Sequence, residues 1–270
     1  MRDLQNTRIF TVVKIILAAC YLHNFAHGAM LFWPVYHHHT STIMPHNRRG
    51  SDRRHKAARR SLVFPEETAN SLVELTPAKP LSLNAFTLCL RFATELKGRR
   101  EIILFAYRTE YFDELNVWRE TDGRLSLYLS GPGAFFEVPE LGPLSNHVCF
   151  TWESLTGRTT MYVNGQSSAS QIYQRGHRVR PGGRVILGQD PDNFLGDFQA
   201  EQSFVGEIFG VNMWDRVLPS DAIQQLSTGE SFSDANVFDW DTVTLIPTGK
   251  VVEFQKKLTR SEPQLQTRQE

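Results

Sequence analysis

The chain is poor in cysteine, with three in 270 residues, and carries no net charge. Three cysteines exclude a small scaffold held together by dense disulfides. The balance of 29 Lys/Arg against 29 Asp/Glu argues against a nucleic-acid partner drawn by global charge. The N-terminal apolar run is broken at Lys14, and its uninterrupted part, 15–22, falls short of the roughly 20 residues that cross a bilayer. No membrane span is therefore expected. The 18 Gly and 13 Pro are scattered without period, which excludes a collagen-like or low-complexity chain. There is no Gly-x-Ser-x-Gly elbow, no His-Glu-x-x-His and no Asn-x-Ser/Thr acceptor. Nor does any strand-like run present two alternating carboxylates to a cleft, as a sandwich-fold glycosidase requires. The chain is expected not to be an enzyme.

What is present is unevenly spread. Residues 1–60 hold ten Lys/Arg and two Asp/Glu, whereas the rest holds 19 and 27. Residues 1–28 combine Arg2, Arg8 and Lys14, a short apolar core and Ala26-His27-Gly28, the outline of a secretory signal. Residues 29–60 show no period of 2 or 3.6 and read as a basic, unstructured linker. His37, His38 and His39 lie there, but neighbours on an extended chain do not converge on one ion. The pair Arg59-Arg60 reads as a solvated charge cluster.

From Ser61 the pattern changes to short alternating runs. Phe86, Leu88, Leu90 and Phe92 alternate with Thr87, Cys89 and Arg91; Leu125, Leu127 and Leu129 with Ser126 and Tyr128. Asp122-Gly123, Gly131-Pro132-Gly133, Asn164-Gly165 and Pro181-Gly182-Gly183 separate such runs. Asn-Gly is the strongest of these, because a type I′ hairpin turn needs positive φ at both central residues. The spacing predicts an all-β, two-sheet antiparallel sandwich over 61–255, followed by a polar tail, 256–270. One helix is expected from Ser220, as N-cap, to Gly229. With Cys20 in the signal, Cys89 and Cys149 remain, either as a disulfide or as two buried thiols.

Oxygen-bearing side chains gather in 188–202: Gln189, Asp190, Asp192, Gln199 and Gln202. Such a set suits Ca²⁺, a hard cation that takes six to eight oxygens. It is not an EF-hand, since Leu195 stands where the turn glycine belongs. Asp, Asn and Gly also populate ordinary solvated loops.

His147-Val148-Cys149-Phe150-Thr151-Trp152-Glu153-Ser154 fits His-x-Cys-x-x-Trp-x-Ser/Thr at every fixed position. This resembles the pentraxin signature. The resemblance extends through Phe136-Glu137-Val138-Pro139-Glu140, Ile186-Leu187-Gly188-Gln189 and Val211-Asn212-Met213-Trp214-Asp215, over about 61–245. It implies a lectin-like jelly roll with one helix on a face and a Cys89–Cys149 disulfide. It implies two Ca²⁺ ions held by Asp113, Asp190, the Pro191 carbonyl, Asp192, Gln199 and Gln202. It implies a secreted homo-oligomer, a cyclic pentamer, with phosphorylated or acidic small groups as ligands and complement or Fc-receptor components as partners. Two departures matter. The family's Asp-Asn pair is here Phe112-Asp113-Glu114, in a loop one residue short. The family's later acidic ligand is the neutral Gln199, so one firm and one weak Ca²⁺ site are expected. The family's ligand hollow falls on Trp118 and Tyr128. Gly133 stands where some members place a Glu against a cation, so no carboxylate is expected in the hollow.

Overall fold

The computed structural model describes residues 59–97, 100–194, 196–229 and 234–256. The expected signal, most of the linker and nearly all of the polar tail lie outside the described residues. The strands, in chain order, are β1 (Arg59–Phe64), β2 (Leu72–Thr76), β3 (Ala85–Ala93), β4 (Ile102–Arg108), β5 (Asp113–Arg119), β6 (Leu125–Tyr128), β7 (Ala134–Phe136) and β8 (Asn146–Glu153). They continue as β9 (Arg158–Val163), β10 (Gln166–Ser167), β11 (Gln171–Ile172), β12 (Arg184–Leu187), β13 (Gly206–Trp214), β14 (Thr244–Thr248) and β15 (Val252–Lys256). One helix, α1 (Ser220–Thr228), follows β13.

The first sheet runs β10-β9-β8-β3-β13-β1-β15, with β11 also on β9; the second runs β14-β2-β12-β4-β5-β6-β7. Every pairing between these strands is antiparallel. The expected sandwich is therefore the observed one. Its core lies between the sheets, where Phe86, Leu88, Leu90 and Phe92 meet Leu115, Val117, Leu125 and Leu127. The intervening residues of each strand face outward, as the two-residue period of a strand requires. Along β4 the register shifts between Ile103 and Phe105. This bulge turns two successive residues, Leu104 and Phe105, into the core and leaves Ile103 and Ala106 on the outer face.

On the outer face of the first sheet, Cys89 pairs in register with Cys149 and the two form a disulfide. They pack with Tyr162 and Trp214 against Leu218, Ala222 and Ile223 of α1. The helix ends at Gly229, φ 88°, as expected. Its N-cap is Pro219, not Ser220. Ser220 Oγ is instead 3.0 Å from the Tyr162 hydroxyl, a tie to the sheet that replaces the local cap. Arg91 donates to the carbonyls of Leu226 and Ser227, placing a cation at the negative end of the helix.

β1 begins at Arg59, inside the stretch read as linker. Arg60 pairs with Glu253 and donates to the carbonyls of Trp240 and Val243, so it is held in the domain, not left as a solvated cluster. Among the described residues no helix is long and apolar enough to cross a membrane.

Candidate metal centre and ligand pocket

The outer face of the second sheet carries the candidate site. Asn116 and Trp118 of β5 lie opposite Tyr128 and Ser126 of β6. Because Leu115, Val117, Leu125 and Leu127 are committed to the core, these alternate positions must face out. Trp118 and Tyr128 pack on Ile103 and Ala106, forming the floor of a cavity of about 450 Å³. Both sequence-chosen aromatics thus line one pocket, and Asp113 and Asp190 line it too.

The acidic loop follows β12. At Gly188 the backbone turns with φ +90°, and a Cβ there would run into the Phe64 ring, so only glycine makes this turn. Gln189 then buries its amide and donates to the carbonyl of Ser71 at 3.1 Å, pinning the loop to the segment before β2. Asp190 is left 7% exposed at the cavity edge. Burial, and then the nearby charges of Asp113 and Asp192, push its carboxyl up to about 7. Pro191 is buried and Asp192 exposed. Gln199 and Gln202 bracket a short 3₁₀ turn, Ala200–Gln202. Gln199 Nε2 donates to Asp192 Oδ2 at 2.7 Å. The side-chain amide oxygen of Gln202, like that of Gln189, is buried with no hydrogen-bond partner among the described residues.

These observations test whether the residues fit a hard cation, and they do. Burial, and then the charges of Asp113 and Asp192, raise the proton affinity of Asp190, and a divalent cation there would offset both effects. An unpartnered buried carbonyl oxygen is a costly group unless something coordinates it. Asp113 is less free than the sequence suggests. It opens β5 directly after the short Thr109–Phe112 turn and forms an ion pair with Arg108.

Three contributors escaped the sequence reading. Asn116 donates to Asp190 Oδ1 at 3.1 Å and accepts from the Tyr107 amide at 3.3 Å, fixing the carboxylate from below. Glu120 and Glu101 both line the cavity, which corrects the expectation of a pocket without carboxylates. Gly133 does lack a side chain, and a Cβ there would stand 2.8 Å from the Tyr128 ring. The negative charge comes instead from Glu120, just after β5, and Glu101, just before β4. Glu120 accepts from the Ser126 hydroxyl and from Tyr128 Oη at 3.3 Å. Burial, and then Glu120, drive the Tyr128 phenol up to about 12, so it remains a donor. Asn116 and Trp118 alternate on β5 and Glu120 follows two positions on, just past its end, and that period was the available signal.

A jelly roll with polar and aromatic side chains gathered around a cavity on one outer sheet face has the layout of a lectin-type recognition module. The chain belongs to the pentraxin family. The family model described as Pentaxin family matches residues 60–253. C-reactive protein of Danio rerio is 52% identical over 194 residues, spanning 71% of this chain and 86% of that protein. Human C-reactive protein is 37% identical over 195 residues, spanning 72% of this chain and 87% of that protein. Among solved structures, a heptameric SAP-like pentraxin from Limulus polyphemus superposes with a TM-score of 0.64 at 20% identity, covering 74% of this chain and 96% of that one. That likeness bears on the fold alone.

Proposed function

We propose that this chain is a secreted, Ca²⁺-dependent recognition lectin, not an enzyme, and that it binds zwitterionic phosphate groups of the phosphoethanolamine kind. One observation carries the reading: Asp113 and Asp190, with the charge of Asp192 close to Asp190, line the same cavity as Trp118, Tyr128, Glu120 and Glu101. Asp113, Asp190, Asp192, Gln199, Gln202 and the Pro191 carbonyl would hold the calcium, whose charge attracts the ligand's anionic end. Trp118 and Tyr128 shape the other end. Glu120 and Glu101 offer acceptors to an ammonium that has N–H donors. A quaternary ammonium has none, and Trp118, only 9% exposed, is floor and not cage wall. Phosphoethanolamine is therefore favoured over phosphocholine.

A shallow single site is weak alone, and a cyclic homo-oligomer makes it useful through avidity. Resemblance favours a ring of five, whereas the Limulus relative is described as heptameric. Partners of complement or Fc-receptor type remain part of this reading. A second reading, a recognition fold acting without metal, draws support from the Arg108–Asp113 ion pair and the Gln199–Asp192 hydrogen bond, which occupy two candidate ligands internally.

The test is retention on immobilised phosphoethanolamine and phosphocholine, with Ca²⁺ and then EDTA. Retention on the first, released by EDTA and weakened in Glu120→Gln, is expected. Retention on phosphocholine alone overturns the pocket reading, and EDTA-resistant retention favours the metal-free one.

A further inference from the structure

Beside the first cavity lies a second, of about 530 Å³, lined by Ser82, Gly176, His177, Arg178, Arg180 and Pro181. The two differ in charge. Four carboxylates line the first. No acidic residue lines the second. Glu114 is fully buried behind it, and its charge is already met. Its Oε1 lies 2.8 Å from His177 Nε2 and accepts from the Arg180 amide at 2.9 Å, while Oε2 accepts from Arg180 Nη1 at 2.6 Å. Arg178 is different. Its Nη2 donates to Ser82 Oγ at 2.7 Å, which orients the guanidinium, and it forms no ion pair among the described residues. Exposed Arg175, at the same turn, donates to the Leu155 carbonyl at 3.2 Å and likewise has no carboxylate partner among the described residues.

The cavities share a wall. Arg180 Nη1 also donates to Ser130 Oγ at 2.9 Å, and the Arg180 guanidinium lies 4.2 Å above the Phe112 ring. Ser130 and Phe112 both line the first cavity. A ligand with one anionic group needs only the first cavity. A chain with repeated anionic groups meets, past Arg180, the Arg178 guanidinium, which has no carboxylate partner among the described residues, and its fork suits sulfate and phosphate oxygens.

We propose that the pocket around Arg178 is an anion subsite, which takes a second sulfate or phosphate of a repeating acidic polymer whose neighbouring group sits at the Asp113–Asp190–Asp192 site. The second half of this statement rests on the proposed function; the subsite itself does not.

The experiment compares the full chain with Arg178→Ser and Arg178→Glu. Probes are dextran sulfate, phosphoethanolamine and phosphatidylserine vesicles, each measured in Ca²⁺ and in EDTA. Loss of a hydrogen bond between charged groups predicts about tenfold weaker binding of dextran sulfate by Arg178→Ser, and more by Arg178→Glu, with phosphoethanolamine binding unchanged. The subsite is overturned if both variants bind dextran sulfate like the parent, or lose both small and polymeric ligands equally. It is also overturned, in favour of a membrane surface, if only vesicle binding falls. Should the parent fail to bind phosphoethanolamine while dextran sulfate binding still depends on Arg178, the subsite stands and the calcium-site reading fails.

Discussion

Replacing Gln199 by Glu restores a carboxylate where the pentraxin pattern places one, and the structure predicts opposite effects with and without Ca²⁺. In the metal-free chain Gln199 donates to Asp192 Oδ2. A hydrogen bond to a charged acceptor contributes about 1.5–3 kcal/mol, less at a position as exposed as this one. The new carboxylate also faces Asp192, a repulsion of about 1 kcal/mol at 4 Å in water. Together these destabilise the metal-free protein by roughly 2 kcal/mol, or about 4–8 °C in melting temperature for a domain of this size. With Ca²⁺ the same two carboxylates share a cation. Each tenfold gain in affinity adds about 1.4 kcal/mol once the ion is in excess. Scanning calorimetry in EDTA and in millimolar Ca²⁺ should show Gln199→Glu melting lower than the parent in EDTA, with a wider gap between the two conditions. Titration calorimetry should show a weak second binding event in the parent become stronger. Identical melting in EDTA with no widening in Ca²⁺ would refute the assignment of Gln199. Two equally tight sites in the parent would refute the idea that its neutral amide weakens one.

Two other changes probe parts of the fold that support the site. Gly188→Ala combines a positive φ, about 1–2 kcal/mol for a residue with a side chain, with overpacking against Phe64, about 1–3 kcal/mol. Urea denaturation should show a loss of roughly 2–5 kcal/mol, and a loss below about 1 kcal/mol would mean that the loop entry is not rigid. Burial, and then Arg91, hold the His147 imidazole down to about 3, against 6.5 for a free side chain. The unfolded chain therefore takes up a proton below pH 6.5 that the native chain refuses until about pH 3, so stability falls as pH falls through that window. His147→Leu should remove up to about 1.4 kcal/mol per pH unit of this loss, seen as a difference in acid-unfolding curves, and parallel curves would contradict it.

The parts of the molecule that were legible in the sequence are those decided locally. Asn164 and Gly165 both adopt positive φ, 49° and 84°, between β9 and β10, as an Asn-Gly hairpin demands. Alternation identified the strand runs, and the family resemblance put Trp118 and Tyr128 in one hollow, which both line. What escaped depends on strands brought side by side from far apart. Asn116 meets Asp190 across 74 positions, and Glu114 meets His177 and Arg180 across 63 and 66. No local propensity reports that β12 lies between β2 and β4. Arg60 was misjudged for the same reason, since its partner Glu253 is 193 residues away. Glu120 was missed for a different one. The family resemblance points to Gly133, whereas Glu120 continues the outward alternation of β5 one residue past its end.

The strict two-sidedness of β5 and β6 makes this surface easy to redesign. Positions 116, 118, 126 and 128 face outward, on the side of the proposed ligand site, while 115, 117, 125 and 127 supply the interior. A library randomised only at the first four would vary the proposed recognition surface and leave the packing between the sheets untouched. Along these two strands affinity and foldability are written on alternate letters of one text, and each can be rewritten without erasing the other.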